Sequence, residues 1–219
     1  MIHAIIFDFD GTIVDTESLW FQVFKEILEH EYKIELPLQK FAKCIGTTDD
    51  ALFEYIQGQS TEKFNHDEFM LKAKKKMQSL KKTLVLREGV HDLICEIKSL
   101  GLKLGIASSS SRLWVEEFLI IFNLHHLFDV IKTSEDVQKV KPDPSLYTSV
   151  VETLGINPNE AIAIEDSVNG SLSAIRAGIK CIVIPNQVTN FLTFPEEVIR
   201  FDDFFHLNIK SLVEHSKSN

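Results

Sequence analysis

The stretch HAIIFDFDGT, residues 3–12, decides the fold that we predict for this chain. Its first half is a short apolar run rich in branched and aromatic residues, which is typical of a buried strand. Polar turn residues follow at once in Asp10-Gly11-Thr12. The first predicted element is therefore a buried strand that ends in two carboxylates, Asp8 and Asp10.

Residues 16–82 have a different, helical texture. In the segment that follows the first turn, Leu19, Trp20, Val23 and Phe24 recur at helical spacing. No strand is predicted here, so we interpret residues 16–82 as a small all-helical cap domain inserted after the first strand. The predicted helices are Glu17–Tyr32, Pro37–Cys44, Thr48–Gln57 and Asn65–Lys82.

Beyond Leu86 the sequence alternates between helical and strand patterns. Such alternation predicts a Rossmann-like α/β fold, with a parallel sheet and helices on both faces. Residues 1–15 and 83–219 would form this core. Glycines that follow three of the helices suit left-handed helix ends: Gly101, Gly155 and Gly178. The predicted strands are Leu102–Ala107, Val130–Thr133, Ala161–Glu165 and Cys181–Ile184, and the predicted helices are Gly89–Leu100, Arg112–Phe122, Pro144–Leu154 and Gly170–Ala177.

The composition disfavours some classes of binding partner. The 219 residues carry a formal net charge of −9, which disfavours a nucleic-acid partner. No apolar run approaches a membrane-spanning length, and no secretory signal pattern is found. We therefore expect a cytoplasmic protein without membrane partners, by default a monomer. The lysine-rich piece Lys72–Lys76, together with Lys81 and Lys82, is interpreted as a solvated helix face, with a lysine that reaches substrate as the alternative.

Chemistry-bearing residues follow four predicted strands, where functional side chains of parallel sheets gather. Asp8 and Asp10 point to the same side of an extended chain, and two close carboxylates repel unless a cation or a proton intervenes. With Mg²⁺ between them, Asp8 can act as a nucleophile and Asp10 as an acid and base. The alternative is an exposed turn. The other three groups are Ser108–Ser111, Lys141 before Pro142, and Glu165 with Asp166.

Each of these three groups also has a purely structural interpretation. Ser108 and Ser109 can hold phosphate oxygens at a helix N-terminus, or serines 110 and 111 can simply cap that helix. Lys141 can neutralise phosphate charge, or it can be a surface lysine. Glu165 and Asp166 suit an oxygen-ligand Mg²⁺ site, or they can favour a helix N-terminus. All four groups in this order favour hydrolysis or transfer of phosphate.

The segments DFDGTIVDTES (Asp8–Ser18), Ile106–Ser109, Lys141-Pro142 and IEDSVNG (Ile164–Gly170) resemble the four motifs of the haloacid dehalogenase superfamily. The resemblance is strongest to its phosphatase and β-phosphoglucomutase-like branch. It implies that Asp8 is the nucleophile, that Asp10 is the general acid and base, and that Ser108 and Lys141 hold the phosphoryl group. It also implies an Mg²⁺ site made by Asp8, the Asp10 backbone carbonyl and Asp166, with Glu165 as a direct or water-mediated ligand.

Two departures from β-phosphoglucomutases bear on the reaction. Trp20 stands where those enzymes carry a histidine, and Asp49 stands where they carry an arginine that grips a second phosphate. An acidic side chain repels phosphate, so hydrolysis is preferred to mutase activity. The resemblance thus implies an Mg²⁺-dependent phosphatase of a small phosphorylated metabolite, such as a sugar phosphate, that forms an aspartyl-phosphate intermediate. A β-phosphoglucomutase-type phosphomutase is the alternative, and a non-catalytic binding module is a third. The cap would close over substrate, and its candidate contacts are Trp20, Phe21, Phe53 and Tyr55, with core packing as the alternative for each.

Overall fold

Six parallel strands form one sheet in the computed structural model, which describes residues 1–46, 48, 50–60 and 63–215. The strands are β1 Ala4–Phe7, β2 Lys103–Ala107, β3 Val130–Lys132, β4 Ala161–Glu165, β5 Lys180–Val183 and β6 Ile199–Arg200. Their order across the sheet is β3-β2-β1-β4-β5-β6. The order reverses at β1, which lies between β2 and β4 near the middle of the sheet.

Nine α-helices lie in the described part of the chain. Four of them fall between β1 and residue 82: α1 Thr16–Ile27, α2 Leu38–Ala42, α3 Asp50–Gln59 and α4 His66–Leu80. The other five are α5 Val90–Ser99, α6 Arg112–Ile121, α7 Ser145–Leu154, α8 Val168–Arg176 and α9 Ile209–His215. No helix among the described residues is long and apolar enough to cross a membrane.

Helices cover both faces of the sheet. Alternate residues of a strand face opposite sides, so the neighbours of each β1 residue show what packs on each face. Ile5 and Phe7 of β1 belong to one buried cluster, which also contains residues of α5, α6 and α9. Ala4 and Ile6 belong to a second buried cluster with residues of α7 and α8. The predicted α/β class with a parallel sheet and helices on both faces is thus confirmed.

A third buried cluster is built by residues 16–82, which we name the cap segment. Phe24 contacts both Phe41 and Phe69 there, with ring centroids 5.9 and 5.0 Å away. Val188, from the chain that follows β5, also packs into this cluster. The division into a core of residues 1–15 and 83–219 and a cap domain of residues 16–82 stays a prediction.

Several boundaries differ from those that the sequence predicts. The helix predicted over Glu17–Tyr32 is an α-helix only to Ile27, and a π-helical turn over Leu28–Tyr32 completes it. The helix predicted from Thr48 begins at Asp50; residues 47 and 49 lie outside the described residues. Strand β6 and helix α9 were not predicted. The three glycines expected at helix ends do have left-handed backbones.

Candidate active site

The carboxyl ends of the central strands bring the predicted site residues together. Phe7 of β1 pairs with a residue of β2 on one side and with Ile164 of β4 on the other. The Asp8 amide then donates to the Ile164 carbonyl (2.9 Å), so Asp8 comes level with Glu165. Ser108 directly follows β2 at the same edge. Sheet register alone therefore places three of the four sequence groups side by side.

Three buried carboxylates form the centre of this site. Oxygens of Asp8, Glu165 and Asp166 all lie within 4.8 Å of one another. The predicted magnesium site depends on this closeness. The carboxylate of Asp10 is not part of this cluster, so its predicted contribution through the backbone carbonyl stays a prediction.

Lys141 is fully buried and joins two of these carboxylates. Its Nζ lies 2.5 Å from an oxygen of Asp8 and 2.6 Å from an oxygen of Glu165. It also lies 5.1 Å from the ring centroid of Tyr147, whose hydroxyl donates to Glu165 (2.7 Å). Burial disfavours the ammonium charge, but Asp8 and Glu165 outweigh burial and raise the pKa of Lys141. The interpretation of Lys141 as a surface lysine is therefore wrong.

The carboxylate cluster carries more negative charge than Lys141 balances. Burial raises the pKa of Asp8 to about 8, against the attraction of Lys141, and Glu165 adds to the rise. Burial, followed by the charges of Asp8 and Glu165, raises the pKa of Asp166 well above its ordinary range. A divalent cation would relieve this repulsion, and a set of carboxylate oxygens is what Mg²⁺ binds. The residues present thus fit such an ion.

Neighbouring side chains fix the direction of Asp166. Asn186, which follows β5, donates to Asp166 at 2.7 Å, and the Thr12 hydroxyl donates to its other oxygen at 3.3 Å. Arg87 donates to the carbonyls of Gly11 and Ile184, which ties the turn after β1 to the end of β5. Sequence reasoning missed Asn186 and Arg87. The position of Asn186 beyond a strand end at the functional edge was a usable signal for it.

Two glycines make room for these carboxylates. Gly11 has a φ of 83°, and a Cβ atom there would collide with the Asp166 carboxylate and with Asn186. Gly170 lies in α8, where a Cβ atom would overlap the Glu165 carboxylate. Both positions therefore require a residue without a side chain, for a steric reason that the motif letters alone do not reveal.

Asp10 points away from the buried carboxylates. Its two oxygens accept hydrogen bonds from Thr16 (2.7 Å), Ser110 (2.6 Å) and the indole of Trp114 (2.8 Å). The side chain is half-buried and lines a cavity together with Asp8. Asp8 and Asp10 thus line the same cavity but have different hydrogen-bond partners, which suits two groups with separate chemical roles.

The four consecutive serines at the end of β2 make different hydrogen bonds. Ser111 caps α6 by accepting from a backbone amide of its first turn, so one of the two predicted capping residues is observed. The buried Ser108 hydroxyl accepts from the Ser110 amide at 3.0 Å, and the Ser109 hydroxyl donates to the carbonyl of Gly46 at 3.1 Å. Ser108 and Ser109 both line the cavity beside Asp8.

A cavity of about 250 Å³ separates these residues from the cap segment. Glu17 is the acidic group that the cap segment contributes to its wall. Trp20 lines it, as predicted for a cap contact. Of the other aromatic residues proposed for that role, Phe21 packs on Phe41, Phe53 packs on Phe64, and the Tyr55 hydroxyl donates to a backbone carbonyl. The remaining cap residues in the wall are Phe24, Phe41, Cys44, Ile45, Gly46 and Met70.

Lysines on α4 mostly serve as a solvated face. Lys72 pairs with Glu31 and Glu68, and Lys76 pairs with Glu26. Lys74 instead lines a second groove, of about 340 Å³, between α4 and Trp114. Lys72 and Lys76 thus follow the interpretation of a solvated face. For Lys81 that interpretation is wrong, because the side chain is buried and pairs with Glu117.

Comparison with known proteins identifies the family. Residues 5–184 match the haloacid dehalogenase-like hydrolase family. The chain therefore belongs to the haloacid dehalogenase-like hydrolases, and the resemblance seen in the four motifs is confirmed.

Three relatives cover most of the chain. YhcW of Bacillus subtilis, which is named as a candidate phosphatase, is 41% identical over 219 residues, which cover 100% of this chain and 99% of YhcW. Hexitol phosphatase B of Escherichia coli is 29% identical over 84% of each chain. The crystal structure of a CbbY mutant from Rhodobacter sphaeroides, in complex with xylulose-(1,5)bisphosphate, has a TM-score of 0.81 and 28% identity, and covers 95% of this chain and 97% of CbbY.

Proposed function

We propose that this hydrolase is a magnesium-dependent phosphatase of a small phosphorylated metabolite, and that it works through an aspartyl-phosphate intermediate on Asp8. The observation that carries the proposal is the position of Asp8. One oxygen is held by Lys141, the carboxylate lies against Asp166, and the same side chain lines the cavity. A nucleophile needs this combination of neutralising charge and access to substrate.

The proposed reaction has two steps. In the first, an oxygen of Asp8 forms a bond to phosphorus while the bond to the leaving oxygen breaks, and Asp10 gives that oxygen a proton. In the second, water attacks the aspartyl phosphate, its proton passes to Asp10, and Asp8 and inorganic phosphate are released. Lys141, Ser108 and Ser109 would hold the phosphoryl oxygens during both steps.

Magnesium would be held by Asp8, Asp166 and the backbone carbonyl of Asp10. The ion supplies charge neutralisation for the anionic phosphoryl group and for the carboxylates around it. Glu165 already accepts from Lys141 and Tyr147 on one oxygen, and from the Asp166 amide and Ser167 on the other. This saturation supports a water-mediated role for Glu165 rather than direct ligation.

The cavity supports a polyol or sugar phosphate as substrate. Its core wall carries hydroxyls and carboxylates, and its cap wall is mainly apolar with the acidic group of Glu17. The name of hexitol phosphatase B and the xylulose bisphosphate bound to CbbY point to the same class of compound. We keep a monomer in the cytoplasm as our expectation for the protein.

A phosphate-release screen tests this function. Purified protein is incubated with a panel of phosphorylated metabolites with Mg²⁺ and with excess chelator, and inorganic phosphate is measured. We expect steady release from at least one sugar or polyol phosphate, lost with chelator and in Asp8→Asn. The absence of Mg²⁺-dependent turnover across the panel would favour the non-catalytic binding module.

The same protein also allows a test of the phosphomutase alternative. Trp20 lines the cavity at the position where β-phosphoglucomutases carry histidine, and Asp49, which replaces their arginine, lies outside the described residues. We expect no conversion of β-glucose 1-phosphate to the 6-phosphate in the presence of a sugar bisphosphate. Conversion faster than phosphate release would replace the phosphatase proposal with the mutase.

A further inference from the structure

We propose that Trp114 is a positioning residue, which holds the carboxylate of Asp10 through its indole N–H and ties that position to the cap segment through Trp20. The inference rests on the proposed function, in which Asp10 exchanges protons with the leaving group and with water. Trp114 lies outside the matched motif segments, so its part in the site follows from the fold alone.

Three donors converge on the one carboxylate. The indole N–H of Trp114 and the Thr16 hydroxyl both reach Oδ1 of Asp10, at 2.8 and 2.7 Å, and the Ser110 hydroxyl reaches Oδ2 at 2.6 Å. Hydrogen bonds to both oxygens fix the rotation of the carboxylate as well as its place. A half-buried side chain at the edge of a cavity would otherwise sample several rotamers.

The indole differs chemically from the two hydroxyls. Serine and threonine hydroxyls can donate or accept, whereas an indole N–H can only donate. Oδ1 of Asp10 is therefore kept as an acceptor. A proton carried by Asp10 belongs on Oδ2, beside the Ser110 hydroxyl, which can turn to accept it.

Aromatic packing holds the indole in place between the core and the cap segment. Trp114 packs edge-on against Phe118 of α6 with a centroid distance of 4.9 Å, and its other neighbour is Trp20 of α1 at 6.2 Å. Trp20 in turn packs against Phe24 in the buried cap cluster, at 5.5 Å. Thr16 is the first residue of α1, so the cap segment supplies one donor to Asp10 and also supports another.

This arrangement has a measurable consequence for the first chemical step. A leaving oxygen that is strongly basic needs a proton as the bond to phosphorus breaks, whereas a weakly basic one does not. If Trp114 positions Asp10, removal of its N–H should slow esters of basic alcohols more than esters of acidic ones. A general loss of structure would slow both alike.

The test compares Trp114→Phe with the unaltered protein on ring-substituted phenyl phosphates. These esters differ in the acidity of the phenol but little in shape, and kcat/KM reports only the steps up to its departure. We expect kcat/KM for the most basic leaving group to fall about tenfold further than for p-nitrophenyl phosphate, as expected for partial loss of general acid catalysis. An equal fall for all esters would overturn the inference.

Trp20→Phe is the matched control, because it removes an indole N–H from the other ring of the contacting pair but keeps an aromatic ring against Trp114. Its kcat/KM can change, but the dependence on leaving-group acidity should stay that of the unaltered protein. The same steepening in Trp20→Phe as in Trp114→Phe would overturn the inference. If Trp114→Phe does not fold, 3-benzothienylalanine at position 114 replaces the N–H with sulfur in nearly the same shape and gives the same comparison. If the unaltered protein hydrolyses neither these esters nor any metabolite of the phosphate-release screen, the proposed function has failed before Trp114 is tested. If it hydrolyses metabolites alone, a deoxyfluoro analogue of the best substrate supplies the more acidic leaving group for the same comparison.

Discussion

The two walls of the cavity are built on different principles. On the core side, Asp8 lines the cavity, and the charged residues that support it are Lys141, Glu165 and Asp166. All four are at most 6% exposed, and each contacts another charged or polar group. On the cap side the wall is mainly aromatic and aliphatic, and its apolar side chains belong to the cap's own hydrophobic cluster. The difference teaches that charge placement is fixed by the sheet, whereas the shape of the leaving-group space depends on side-chain packing in the cap segment.

The sharpest test of this comparison replaces one acid on each wall. Asp8→Asn keeps the shape of the core wall but removes the nucleophile, so kcat should fall by at least about 10⁴-fold. Glu17→Gln alters the acid of the cap wall, where a lost charged hydrogen bond to substrate costs no more than about 100-fold in kcat/KM. Phosphate release under saturating and limiting substrate gives both values. Equal losses would show that the two walls do not divide the work in this way.

The second test concerns stability and uses two buried lysines. Lys141→Met leaves Asp8 and Glu165 without their shared cation, which should lower the free energy of unfolding by about 3–5 kcal/mol. Lys81, at the end of the cap segment, pairs with Glu117, whose side chain is 39% exposed. Water can solvate the Glu117 carboxylate once the lysine is removed, so Lys81→Met should lower the free energy of unfolding by about 1 kcal/mol or less. Urea denaturation of both variants measures the difference, and a cost at Lys81 as large as that at Lys141 would contradict it.

The third test uses magnesium and pH to separate the walls. Because burial raises the pKa of Asp8 to about 8, the folded protein binds a proton there that the unfolded chain has released above about pH 4. Without metal, stability from this group is therefore complete below about pH 4 and is lost as the pH rises toward 8.

Magnesium must displace that proton, so it should stabilise the protein more at pH 8 than at pH 6. At about 100 times its dissociation constant, the ion should add about 2.7 kcal/mol, which raises the Tm by about 5–10 °C. Thermal melts with MgCl₂, against NaCl at equal ionic strength, measure the effect. Met70→Leu in the cap wall should keep the full gain, whereas Asp166→Asn should lose most of it. A gain that is the same at both pH values would count against the carboxylate cluster as the binding site.

The core wall was largely predictable from the sequence, and the reason is geometric. The ends of parallel strands meet at one edge of a sheet, so Asp8, Ser108 and Glu165 could be placed together from strand order without knowing any side-chain packing. Lys141 lies in a loop, and its burial between two carboxylates was not predictable from its neighbours in sequence. Strand β6 was missed because two residues are too short to show a period.

The cap wall and the environment of Asp10 were much less predictable. Trp20 was one of four aromatic candidates, and nothing in helical spacing distinguishes a residue that lines a cavity from one that packs inside the cap cluster. The contact between Trp114 and Asp10 joins residues 104 positions apart in the chain. It depends on the rotation of α6 about its axis, which the sequence pattern constrains only to a broad face.

The smallest expected effects come from two helical glycines, one in the core and one in the cap segment. Gly170→Ala in α8 places a methyl group against the Glu165 carboxylate, which should cost about 2 kcal/mol and reduce kcat because Glu165 contacts Lys141. Gly58→Ala in α3 of the cap segment meets no atom within 4 Å, so it should stabilise by about 0.5 kcal/mol through improved helix propensity. Urea midpoints and kcat for the two variants check this pair. The changes in the free energy of unfolding should have opposite signs, because the same substitution in the same type of element differs only in what surrounds it. A loss of stability at both glycines would mean that the cap segment is packed as tightly as the core.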